Sequence, residues 1–128
     1  MLKTAMGLLF LASVAACGSD SGADAAPAGQ PPVITSIAWA HAAPCTAAVA
    51  DNVTITITVS DADTPTNQLT YSGSASSCTG NITTNPATIN CPEHFSYPGS
   101  VTVSDPQHHS VTKNFTISGP CTDGSQNF

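Results

Sequence analysis

Few side chains in this 128-residue chain can do chemistry: five cysteines, four histidines and eight carboxylates, against two strong bases, for a formal net charge of −6. Four cysteines, Cys45, Cys78, Cys91 and Cys121, lie beyond residue 40, and no Cys-x-x-Cys or paired His–Cys spacing marks a zinc site. An even number of cysteines in a small exported domain reads as disulfides, here two, and three connectivities satisfy the count. Asp61, Asp63 and Asp105 are the carboxylates whose pattern suits a hard cation, because aspartates converging from two turns would offer calcium its oxygen ligands. Their structural alternative is turn capping, in which the side chain accepts from nearby amides, and no glutamate follows them to complete a ligand set. His108 and His109 are neighbours, so on an extended chain they face opposite sides, and a solvated loop pair is the plainer reading than a copper or zinc site. His41 and His94 stand apart from them. With no Gly-x-Ser-x-Gly elbow, phosphate loop or His-Glu-x-x-His motif, and Glu93 the sole glutamate, no enzymatic activity is expected and no cofactor other than calcium.

Cys17 belongs to different chemistry. Lys3 gives a positive N-terminal region, and Ala5 to Val14 form an apolar run too short to span a bilayer, where a helix needs about 20 residues. A polar Gly/Ala/Ser/Asp-rich segment follows at once, which argues against a buried helix. Val14-Ala15-Ala16-Cys17 resembles the bacterial lipobox, with an apolar and two small residues ahead of the cysteine. That resemblance implies cleavage after Ala16, lipidation of Cys17 and attachment to a bacterial membrane, at the outer membrane or cell surface, through several acyl chains, since one chain alone holds a protein only marginally. An ordinary secretory signal satisfies the same small-residue rule at Val14 and Ala16; the cysteine at the boundary favours the lipoprotein reading.

The chain thus divides into a signal peptide at 1–16, the lipidated cysteine and a flexible linker at 17–32, a single domain at 33–121 and a tail at 122–128. Residues 18–32 hold no large apolar side chain, so they cannot offset their ordering entropy, and as a coil they reach about 20 Å. Once the signal is removed, Lys113 is the only strong base, which excludes nucleic acid as a partner and disfavours direct adhesion to anionic lipid. Charged residues make up 8% of the chain, so Thr and Ser must carry the solvent face of any sheet.

The domain reads as all-β. Val53-Thr-Ile-Thr-Ile-Thr-Val59 alternates with strict period 2. Further strands fall at Val33–Trp39, Leu69–Tyr71, Ala87–Cys91, Ser100–Ser104 and Val111–Ile117, with turn residues between them, for about seven in all. Such short alternating strands imply an antiparallel sandwich. Thr58-Val-Ser-Asp-Ala-Asp63 running into Gln68-Leu-Thr-Tyr-Ser72, and Tyr97-Pro-Gly-Ser-Val-Thr-Val-Ser-Asp-Pro106, resemble the bacterial immunoglobulin-like, PKD-like and cadherin-like modules over about residues 31–118. The resemblance implies an Ig-like sandwich and says little about function, because such folds host many roles. Tyr97 is placed either as a tyrosine corner or as plain core filling. Lys113 shares parity with Val111, Phe115 and Ile117, so it points inward unless a bulge shifts the register; otherwise its head extends to water near a strand end.

In an Ig-like sandwich the first strand runs parallel to the last, so the chain after each emerges at one end. That topology pairs Cys45 with Cys121 and leaves Cys78 with Cys91 to close a local excursion. The sequons at Asn52, Asn81 and Asn114 are discounted, because such triplets arise by chance in a Thr-rich chain and the lipobox resemblance implies a bacterial cell. The expected function is a membrane-anchored, non-enzymatic envelope module contacting a protein or glycan; the rival is a calcium-binding cadherin-like module using Asp61, Asp63 and Asp105.

Overall fold

A computed structural model describes residues 29–43, 45, 50–92, 96–119 and 121–128. The segment expected as an export signal, Cys17, the part of the expected linker up to residue 28, Glu93 and His94 lie outside the described residues. Seven strands follow in order: β1 (Val33–His41), β2 (Asp51–Ser60), β3 (Thr70–Ala75), β4 (Ala87–Cys91), β5 (Ser96–Ser104), β6 (Ser110–Ser118) and β7 (Gly124–Asn127). They form two antiparallel sheets, a four-stranded one in the order β4-β2-β1-β7 and a three-stranded one in the order β3-β5-β6. The chain is an all-β sandwich.

Alternation in β2 is the reason for its central place. Val53, Ile55 and Ile57 are buried while Thr56 and Thr58 are exposed, so one face seals the core and the other stays hydrated. Each such aliphatic side chain stabilises the fold by about 1.5–3 kcal/mol when removed from water. β1 breaks the period-2 rule, since Ile34 and Ile37 are both buried yet three residues apart. Its register against β2 slips between Ile34 and Ser36, so Thr35 is an extra residue, and this bulge restores Ile37 and Trp39 to the inner face. From the facing sheet come Ala75, Tyr97, Val101, Val103, Phe115 and Ile117, and the inter-strand segments add Leu69 and Ile82.

Asn85 prolongs the ladder beyond β4. Its side-chain oxygen accepts from the Ile57 amide at 2.9 Å, and its Nδ2 donates to the Ile57 carbonyl at 2.7 Å, imitating one more strand residue. Tyr97 serves both of its expected roles: its ring is buried in the core, and its hydroxyl donates to the carbonyl of Pro92. The inward parity of Lys113 is also observed. β6 pairs continuously with β5, so no bulge intervenes, and the Lys113 ammonium rests 4.9 Å from the ring centroid of Phe128.

That aromatic ring belongs to the segment expected as a tail. Residues 122–128 instead carry β7, which adds to the free edge of β1 with Ser36 opposite Asn127 and Trp39 opposite Gly124. The strand has no β-branched or apolar residue between Gly124 and Asn127, so its state derives from pairing with β1 rather than from propensity.

Candidate functional site

Among the described residues, the Asp and His side chains gather at the two ends of the sandwich. No Asp, Glu, Lys or Arg faces outward from the strands: the exposed positions of β2, β3, β5 and β6 are Thr, Ser and Asn, with Pro98 the exception. On the face of β3-β5-β6, Ser72, Ser74, Ser100, Thr102, Asn114 and Thr116 line two adjoining hollows, with Gln126 of β7 at the margin.

The first end holds the aspartates singled out in the sequence. The turn after β2 and the turn between β5 and β6 do share this end, where the Thr64 hydroxyl donates to Gln107 Oε1 at 3.3 Å. Asp61 Oδ1 accepts the amides of Asp63 and Thr64, both at 3.0 Å, which closes the turn. Its other oxygen, Oδ2, is buried without a donor. The carboxyl of Asp63 faces Asp61, and the interaction between the two carboxyls holds Asp61 below the ordinary carboxylate range and pushes Asp63 above it. Such a pair is satisfied when Asp63 carries a proton or when a cation stands between the two.

Asp105 is committed elsewhere. Its side chain is fully buried, and it accepts the backbone amide of His109 at 2.8 Å and the His109 Nδ1–H at 2.8 Å. Burial works to raise Asp105, but the hydrogen bonds from His109 outweigh it and leave the carboxyl below its usual range. His108 takes a left-handed φ of 73° in this turn, so the two histidines part, with His108 exposed and His109 on Asp105. The structure therefore brings Asp61 and Asp63 together and gives Asp105 to His109.

The opposite end was not singled out in the sequence as a site. The Cys45–Cys121 disulfide joins the segment after β1 to the segment before β7, with Cα atoms 5.5 Å apart, and Cys78–Cys91 closes the excursion between β3 and β4. Beside the first bridge, His41 is nearly buried, its side chain 5% exposed. Its Nδ1 lies 2.7 Å from Asp51 Oδ2, its Nε2 lies 3.2 Å from the Ser118 carbonyl oxygen, and its backbone amide donates to Asp123 Oδ1 at 2.7 Å. Cys45 Sγ lies 3.2 Å from the same Asp51 Oδ2. Among the described residues, His41, Cys45 and Asp51 are the group of three whose ligand atoms all fall within 4.8 Å of one another. A Ser–His–Asp relay is not formed, because Nε2 of His41 faces a backbone carbonyl and not a hydroxyl.

Local pairing explains the convergence. His41 and Asp51 flank the β1–β2 connection, whose register sets His41 opposite Val53 and brings the Ala42 amide to the Asn52 carbonyl at 2.9 Å. Trp39 then braces the entry to β7: its Nε1 donates to the Thr122 carbonyl at 3.0 Å, and its ring lies so close over Gly124 that a Cβ there would sit 2.6 Å from Cζ2. The sequence does hold a His–Cys spacing, contrary to the expectation above: His41-x-x-x-Cys45 with Asp51 six residues later is the trace of this cluster, and the Pro44-interrupted Ala-rich run around it gave no strand or helix to place it. Compared with protein-family models, curated proteins and solved structures, the chain matches none.

Proposed function

We propose that this chain is an exported lipoprotein whose sandwich, tethered through Cys17, works as a non-enzymatic contact module in a bacterial envelope, of Ig-like type. The observation that carries this reading is the surface. Among the described residues, both sheets turn mostly hydroxyl and amide groups outward, with Val33, Ala40 and Pro98 the apolar exceptions and no charged side chain among them; the Asp and His side chains lie at the ends, and Lys113 has inward parity. A surface of this kind favours neutral hydrogen-bonding partners, such as a glycan or an uncharged protein face, because it offers neither charge steering nor a phosphate grip. The hollows bordered by Ser100, Thr102 and Asn114 are the place for such contact.

Two measurements test the reading. Cys17→Ser in the full chain should move the protein from the membrane fraction to the soluble one; retention without lipid would refute the anchor. The released protein should co-sediment with isolated envelope glycan or cross-link to an envelope protein. Ser100→Lys together with Asn114→Lys should abolish that contact by burying charge in it. Unchanged binding by the double variant would remove the β3-β5-β6 face from the proposal.

A second reading, calcium binding at the aspartate end, is favoured by one observation: Asp61 Oδ2 is buried without a donor beside the Asp63 carboxyl. Calcium requires six to eight oxygens, so Asp61 and Asp63 would need backbone carbonyls and water to complete the shell. A melting temperature unmoved by millimolar calcium sinks this reading.

A further inference from the structure

We infer that His41, Cys45 and Asp51 form a latent zinc site, which the Cys45–Cys121 disulfide holds closed. The inference stands on the folded domain alone and needs neither the export signal nor the lipid.

Three atoms able to ligate a metal lie within 4.8 Å of one another. Asp51 Oδ2 lies 2.7 Å from His41 Nδ1 and 3.2 Å from Cys45 Sγ, and the sulfur, bonded to Cys121, has no proton to donate. His41 is flanked by two acceptors, Asp51 Oδ2 and the Ser118 carbonyl. A neutral imidazole donates from one nitrogen only, so in that form one of the two acceptors faces a lone pair, whereas an imidazolium would satisfy both. If Nε2–H donates to Ser118, the Nδ1 lone pair points at the carboxylate, and a cation between them resolves the contact. That carbonyl is also the outer partner expected of a ligating histidine, since it fixes the ring and the tautomer.

Imidazole, thiolate and carboxylate together suit zinc better than calcium or magnesium, which prefer oxygen alone. Bonds of about 2.0–2.3 Å in a tetrahedral site set neighbouring ligand atoms roughly 3.3–3.6 Å apart. The observed 2.7 Å and 3.2 Å need only a small opening to admit the ion. Three protein ligands leave the fourth position for water.

Opening the site requires a two-electron reduction. Two molecules of a small thiol become one disulfide, and their two electrons and two protons convert the Cys45–Cys121 bridge into two thiols. Zinc then takes the Cys45 sulfur as thiolate, and that proton goes to solvent. In oxidising surroundings the same residues remain a structural bridge.

The test uses the full chain with Cys17→Ser, which removes the unrelated thiol. Adding Cys121→Ser frees the Cys45 thiol without any reductant and leaves Cys78–Cys91 intact. Cobalt, titrated as a spectroscopic stand-in for zinc, should bind one ion per chain with thiolate-to-metal charge-transfer absorption. His41→Ala on that background should weaken binding at least about tenfold. The chain with its bridge intact should show no such band. Trp39 fluorescence reports folding at this end, because the ring packs on Gly124.

If Cys121→Ser loses the Trp39 signal, the bridged chain decides the matter in a glutathione buffer at fixed free zinc. Zinc should then raise the reduced fraction of Cys45–Cys121 several-fold, measured by alkylation and mass spectrometry, and His41→Ala should cancel the rise. Cobalt bound without a thiolate band, a band indifferent to His41→Ala, or a reduced fraction indifferent to zinc would each overturn the assignment.

Discussion

The aspartate end and the disulfide end of the sandwich are closed by different means. At the aspartate end, side-chain oxygens of Asp61 and Asp105 cap their own turns, and the Thr64–Gln107 hydrogen bond joins the two turns. At the disulfide end, a covalent bond spans 76 residues of sequence, and His41, Asp51, Asp123 and Trp39 pack around it. A turn that caps itself needs few partners, because its hydrogen bonds are local. The disulfide end collects segments far apart in sequence, so loop-closure entropy opposes it and a cross-link removes the most from that cost.

The largest effect should come from cutting that cross-link. Cys45→Ser with Cys121→Ser releases a long loop, for which chain entropy gives about 4.5 kcal/mol, whereas Cys78→Ser with Cys91→Ser releases a short one, at about 3 kcal/mol. Denaturant unfolding of both double variants checks the order; equal losses would mean that packing, not loop length, sets the value of each bridge. Gly124→Ala tests the non-covalent brace at the same end. Its Cβ would meet the Trp39 ring at 2.6 Å, and overpacking of this kind costs about 1–3 kcal/mol, read as a lower unfolding midpoint with an altered Trp39 spectrum.

The aspartate end should respond to pH instead. Asp61 and Asp105 have depressed carboxyls, so what they contribute is present above the ordinary carboxylate value and lost as pH falls through their lowered values. Asp63 is raised by the Asp61 carboxyl beside it, so its contribution is present below the ordinary value and lost as pH rises through the raised one. Asp63→Asn, which keeps a donor toward Asp61 at every pH, should abolish the loss on the alkaline side and retain the loss in acid. Melting temperature against pH for the two proteins checks this. The smallest effect is expected at Lys113→Ala, where removing the ammonium over the Phe128 ring should cost about 0.5–1 kcal/mol.

What the sequence reveals follows from how local the cause is. β2 is legible because Val53 to Val59 alternate without interruption, and the sandwich follows from several such strands. The bridges are legible once the topology is assumed, since only ends that meet can be joined. β7 is not legible: Gly124-Ser-Gln-Asn carries no strand preference and becomes one only against the edge of β1. The bulge at Thr35 is hidden for a similar reason, as Ile34 and Ile37 read as a broken period until the register with β2 is known. Grouping Asp61, Asp63 and Asp105 at one end succeeds, because both turns follow from the strand order. The capture of Asp105 by His109 depends on a left-handed His108, which no residue pattern announces. His41 and Asp51 meet because the β1–β2 hairpin brings them together, and the bridge to Cys121 holds Cys45 beside them.

The pairing of β7 on β1 also decides where attachments leave the molecule. The Phe128 amide donates to the Thr35 carbonyl, and the chain ahead of β1 runs past Asp63 and His109 at Gly29, so the two described extremities emerge on the same side. The nine residues of β1 put the Cys45–Cys121 bridge about 30 Å away from them. An epitope tag or fluorophore fused after Phe128 would therefore sit beside whatever is joined to the N-terminus and be crowded by it. A label at the exposed Ala43, just after β1, would stand at the far pole. The distance between two such labels is a ruler for the orientation of the domain on any surface that holds its N-terminal end.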